Sequence, residues 1–223
     1  MWQRRAAQPL LDVRLFRDAR FSAASGTVMV LFFALFGFLF LATQYLQFVL
    51  GYSPSAAGVR VLPYAGAMIV SALLSAPLVG RCGSRGVVTA GMLLFAAGLA
   101  VAATLGTSTG YGRLAVALLL MGVGMGLAGA PATESIMSSL PPARANIGSA
   151  VNDTTRELGG ALGVAIVGSI VGELANASPE AFVHAMSRGT IVTALVATGG
   201  ACFAWRYLPA AGRLTAGSPV SSS

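Results

Sequence analysis

A chain of 223 residues that is 56% hydrophobic and only 9% charged is no ordinary soluble domain, in which about a quarter of residues carry charge. With a mean hydropathy of +0.78 it reads as a polytopic membrane protein. The net charge of +7 does not mark a nucleic-acid binder, because no basic stripe or aromatic–basic interleaving accompanies it.

All fourteen basic residues are arginine, a codon bias of GC-rich bacterial genomes. Cys82 and Cys202 lie far apart without CxxC spacing, which excludes a disulfide framework and a metal site. No cofactor motif is expected either. The opening MWQRRAAQPLLDVRLFRDARF is too polar to supply the apolar region of a signal peptide.

Residues 1–22 scatter Arg4, Arg5, Arg14, Arg17 and Arg20 among Leu, Val and Phe. They are expected to lie as an amphipathic lead-in on an anionic membrane surface. A first span is predicted over 23–50, its far end carrying Gln44, Tyr45 and Gln47. The tyrosine suits an interfacial anchor. The glutamines need hydrogen-bond partners in lipid, so they serve either as glue between helices or as the wall of a watery cavity.

Ser53 and Pro54 give a helix start, with Ser as cap and Pro at the first position. Spans follow over 56–79 and 87–105, joined by the short loop GRCGSRG. The next connector holds GTSTG, a formal nucleophile-elbow match, but its flanks are apolar spans where an elbow needs a strand and a helix. The fourth span, 111–140, contains GMGLAG. Without a preceding strand this is no dinucleotide fingerprint. Gly122, Gly126, Gly129 and Ala130 read instead as a small-residue seam for a close crossing. Pro131 breaks the backbone ladder one turn before Glu134.

The fifth span, 147–172, is the most informative. Wound at about 100° per residue, Asn152, Asp153, Arg156, Glu157, Gly159, Gly160 and Gly163 share one half of its surface, with Ile147, Val151, Leu158 and Leu162 on the other. A charge at the bilayer centre costs at least about 2.5–3.5 kcal/mol, so this face marks a pathway or a buried network. Asp153, Arg156 and Glu157 stand at i, i+3 and i+4, close enough to meet on one helix. Two carboxylates beside one guanidinium either leave one free to exchange a proton or form a static charge network that ties the helix base to its neighbours. The segment GELANASPEAFVHAMSRG reads as a loop carrying Glu173, Glu180, His184 and Arg188 before a sixth span over 189–208 and a tail over 209–223.

Six spans put both termini on one side. That side collects ten arginines, the other Arg60, Arg113 and Arg188, and Arg156 lies within a span. Both termini are therefore expected in the cytoplasm. The charges from Glu134 to Glu157 then fall in the cytoplasmic half of the membrane.

In order, GYSPSAAGVRVLP, GRCGSRG, GMGLAGAPATESIM and GSAVNDTTRELGGALGVAIVGS resemble the C-terminal half of the bacterial fourteen-span drug:proton antiporters of the major facilitator superfamily. The superfamily's loop motif falls on 76–85, where Leu78, Arg81, Gly83 and Arg85 fit while Ala76 and Gly80 replace its Gly and Asp. Its antiporter motif, which belongs to the N-terminal half, is absent.

The resemblance implies an all-α fold of six transmembrane helices forming one transporter half. It further implies expulsion of amphipathic drug-like molecules in exchange for protons, by alternating access and not by enzyme catalysis. Gln44, Tyr45 and Gln47 would form the outer cavity wall, with Glu134, Asp153 and Glu157 as proton or gate groups and Arg156 as their counter-charge. The expected partners are the bilayer of a bacterial inner membrane and an N-terminal half, which this chain, read as a truncated or split gene product, would need. The rival expectation is a non-transporting six-helix protein that regulates another transporter.

Overall fold

The computed structural model describes residues 18–141, 145–172 and 178–207, and the regular structure among them is helical. α1 spans Ala19–Gln44 and continues as a π-helical turn over Tyr45–Val49. α2 spans Pro54–Ala102, α3 Tyr111–Ser138, α4 Ala145–Gly172 and α5 Pro179–Tyr207. The predicted lead-in up to residue 17, Arg144, Glu173 and the tail from residue 208 lie outside the described residues.

Local chemistry starts these helices. Asp18 Oδ1 accepts from the Phe21 amide at 3.3 Å, and Ser53 Oγ from the Ala56 amide at 3.3 Å, with Pro54 at the first position of α2. α5 begins ten residues earlier than hydropathy alone indicates. Ser178 Oγ caps the Ala181 amide at 3.1 Å, Pro179 opens the helix and Glu180 sits in its first turn. His184 and Arg188, expected in a loop, are therefore exposed residues of a helix.

α2 is one continuous run of sequence but two helical rods. Gly83 takes φ 77° and ψ 156°, and there the chain reverses. That conformation is open essentially to glycine alone. Counting the limbs 54–82 and 84–102 separately, the chain makes six passes, the predicted number. Phe21–Val49, Pro54–Ala102, Tyr111–Ser138 and Pro179–Tyr207 are long and apolar enough to cross a membrane by length and composition. α4 is not among them, since every 18-residue window of it contains both Arg156 and Glu157.

The packing crosses the sequence order. α1 runs parallel to α4, with Met29 against Gly159 and Phe33 against Gly163. It runs antiparallel to α5, with Gly26 against Phe203 and Leu41 against Gly189. α3 repeats this pattern upside down. It is parallel to the first limb of α2 (Tyr64 against Gly122, Ser71 against Gly126) and antiparallel to the second (Gly91 against Gly124, Gly98 against Met121). The first helix of each three-helix repeat thus packs on the second and third of the other, the signature of an inverted repeat.

Both parallel crossings rest on a GxxxG pair: Gly122 and Gly126 in one, Gly159 and Gly163 in the other. A Cβ on Gly159 would lie 2.5 Å from the Met29 carbonyl oxygen, and one on Gly122 would run into that of Tyr64. Lipid offers no hydrophobic drive between helices, so this close backbone approach supplies the van der Waals and weak polar contact that does the holding. Of the predicted seam, Gly122 and Gly126 are in it; Gly129 meets only the Met125 side chain, at 3.7 Å.

Candidate functional site

A cleft of about 440 Å³ opens between α1 and α4, lined by Phe32, Phe36, Arg156, Glu157, Gly160, Ala161 and Val164. Phe32 and Phe36 stand one turn apart with ring centroids 6.0 Å apart and planes 26° from parallel. Gly160 lets the Phe36 ring settle on α4, since a Cβ there would lie 3.1 Å from it. The wall is therefore aromatic and flat, with two charged groups at its edge.

Those charges are arranged differently from the expectation of an ion-paired triad on α4. Arg156 forms no ion pair with Asp153, Glu157 or Glu134 among the described residues. Its guanidinium donates across to α3, to Thr133 Oγ1 at 3.0 Å, and its centre lies 5.0 Å over the Phe32 ring. The Thr133 hydroxyl in turn donates to Asn152 Oδ1 at 3.4 Å, and Asn152 Nδ2 donates to Asp153 Oδ1 at 3.4 Å. Arg156 is only half-buried, and the half-buried Phe32 face and Thr133 hydroxyl are drier partners than exposed carboxylates on its own helix.

Asp153, Glu157 and Glu134 are exposed. Glu157 is the one acid that lines the cleft, and Glu134 follows Thr133 in α3. Thr133, Phe32 and Phe36 carry much of this geometry although sequence reasoning did not single them out. Two phenylalanines at i, i+4 on α1 and a hydroxyl two residues after Pro131 were the available signals.

The other predicted residues lie apart from this cleft. Gln44 and Gln47 are half-buried at the far end of α1, on either side of Tyr45. The eight to twelve residues from Phe36 and Phe32 to Gln44 correspond to about 12–18 Å along the helix. Tyr45 is fully buried, and its hydroxyl lies 2.9 Å from both the Gly106 and Thr109 carbonyl oxygens, to which it donates. It fastens the π-helical turn of α1 to the connector between α2 and α3, and no open surface reaches its ring. Tyr45→Phe should lower stability by about 0.5–1.5 kcal/mol, measured as a shift in thermal unfolding in detergent.

Among the loop-motif residues, Arg81 is exposed and Gly83 is the buried reversal point. Arg85 stacks over Trp205 of α5, its guanidinium centre 4.2 Å from the ring centroid.

A family model described as Major Facilitator Superfamily matches residues 3–164. The chain is similar to the multidrug resistance protein Stp of Mycobacterium tuberculosis, 34% identical over 80% of this chain and 33% of that protein. It is also similar to the tetracenomycin C resistance and export protein of Streptomyces glaucescens, 35% identical over 75% of this chain and 31% of that one. The chain thus spans about a third of the length of these curated relatives. Among solved structures it matches a bacterial homologue of the human drug peptide transporters PepT1 and PepT2. There the TM-score is 0.71 at 19% identity, over 85% of this chain and 42% of that one, a likeness of fold.

Proposed function

The chain belongs to the major facilitator superfamily, and on that premise we propose that it is the C-terminal half of a proton-coupled drug exporter. It works in a bacterial inner membrane against an N-terminal half, with both termini in the cytoplasm. The arginine distribution supports that orientation. The names of its relatives, multidrug resistance and drug export, support the direction and class of transport.

The observation that carries the reading is the cleft between α1 and α4. Two phenylalanine faces offer an apolar, aromatic-compatible surface to an amphipathic molecule. Glu157 stands at its rim with no ion-pair partner among the described residues. An unpaired carboxylate on the wall of a membrane cleft is the candidate coupling group. Thr133, and through it Asn152, keeps Arg156 turned toward Phe32. That restraint leaves Glu157 available, with the guanidinium as a nearby positive charge.

In this mechanism the drug occupies the aromatic wall when Glu157 is ionised, and proton uptake by Glu157 lowers the charge of the wall and favours release. Asp153 and Glu134, toward the cytoplasmic end, serve the gate on that side. Gln44 and Gln47 line the outer exit, and Tyr45 holds that end of α1 in place.

In a complete transporter carrying this chain as its C-terminal half, Glu157→Gln should insert normally and lose proton-driven efflux to background. Ethidium extrusion from dye-loaded cells under an imposed pH gradient measures this. Unchanged extrusion would remove Glu157 from the coupling.

A further inference from the structure

We propose that the seam between the second limb of α2 and α5 binds an anionic phospholipid, its headgroup phosphate held by Arg85. Arg85 is half-buried, yet it makes no hydrogen bond or ion pair among the described residues, and its Nε is buried without a partner. One face of the guanidinium is covered by the Trp205 ring at 4.2 Å. The ring fixes the plane of the fork and leaves its edge, with the donors, unspent. The two terminal Nη donors are not among the buried atoms, and a phosphate matches that edge of a planar guanidinium through two parallel hydrogen bonds.

The surroundings select a lipid phosphate. Trp205 and Tyr207 are 55% and 47% exposed at the end of α5, where amphipathic rings occupy the headgroup level of a bilayer. Arg81 and Arg206 are exposed at the same end of the bundle, and Arg206 lies 5.6 Å over the Tyr207 ring. These add positive potential for an anionic headgroup.

Further along the same seam, past the contact of Met92 with Gly200, a groove of about 440 Å³ opens between Leu93, Ala96 and Ala97 on α2 and Leu195 and Thr198 on α5. At 1.5 Å per residue, Leu93 to Ala97 lie about 12–18 Å from Arg85. One leaflet is about 15 Å deep, so an acyl chain hanging from a phosphate at Arg85 reaches the groove. Headgroup clamp and acyl slot belong to one helix pair.

The test uses Trp205 as the reporter, in the full chain with Trp2→Phe, reconstituted in phosphatidylcholine vesicles. Brominated phosphatidylglycerol should quench Trp205 at a mole fraction about fivefold lower than brominated phosphatidylcholine, the preference expected for one arginine at the surface. Arg85→Gln should erase the preference, and Arg113→Gln at the opposite end should keep it. Arg85→Lys, which retains charge without the fork, should keep only part of it and serves if the glutamine variant fails to reconstitute. Equal quenching by the two lipids, or a preference that survives loss of Arg85, would overturn the site. Neither result bears on drug export, which is read separately by efflux.

Discussion

Gly163→Ala should destabilise the bundle by about 1–3 kcal/mol or more and lower the yield of folded protein in mild detergent. The new methyl would run into the carbonyl oxygen of Phe33, with its carbonyl carbon 2.9 Å away and the Gly37 amide at 3.1 Å. All three are backbone atoms, so no rotamer change relieves the overlap. α1 and α4 must move apart, and the same motion opens the Gly37 and Gly159 contacts above and below. Because the cleft lies between these two helices, Phe32 and Phe36 lose their register with Glu157, and in the proposed exporter efflux should fall with stability. Gly66→Ala is the matched control, since nothing lies within 4 Å of a Cβ there. Thermal unfolding of the two variants should differ in sign of effect; equal midpoints would show that the crossing tolerates a methyl.

Gly83→Ala should be almost as damaging, through the backbone instead of packing. At φ 77° and ψ 156° an L-residue bears a strain of about 1–3 kcal/mol, and Gly83 is buried, so the turn cannot relax into open solvent. The two limbs of α2 would splay, which loosens Gly91 and Gly98 from α3 and pulls Ser84 from its 3.4 Å contact with Ser135. d-Alanine introduced by semisynthesis accepts positive φ and should restore the unfolding midpoint. Failure of the d-residue to rescue would place the defect in side-chain volume. This gives Gly83 a reason to fit the superfamily's loop motif even where the motif's aspartate has become Gly80.

The sequence showed six passes because apolar runs separated by Gly, Pro and Arg leave little choice in a bilayer. The span expected over 111–140 ends at Ser138 in α3, within the usual fraying of a helix end. It misplaced the start of α5, where hydropathy outweighed a local signal. Ser178, Pro179 and Glu180 spell a helix start, and Phe182, Val183, Ala185 and Met186 are its buried stripe.

The candidate site was legible as a set of residues and illegible as a set of bonds. Spacing along α4 brings Arg156 within reach of Asp153 and Glu157, and helical geometry permits that pairing. The guanidinium instead chose Thr133, 23 residues away on another helix. Tyr45 reads as an interfacial anchor from its place near the end of a span, yet its hydroxyl bonds carbonyls more than sixty residues downstream. Both partners are set by tertiary packing, which one-dimensional periodicity does not encode.

The crossed packing of the two repeats also fixes an order in time. The second limb of α2 and α3 follow the first limb directly, so that half of the bundle closes as it is made. α1 must wait, because Met29 meets Gly159 and Phe33 meets Gly163 only after about 130 further residues have been synthesised. At 5–20 residues per second the delay is on the order of ten seconds. Through that interval the side of α1 that will meet α4, Gly37 included, is not yet covered by that helix. An insertase or a neighbouring protein has those seconds to shelter that side, and a ribosome pause between residues 138 and 145 would lengthen the wait.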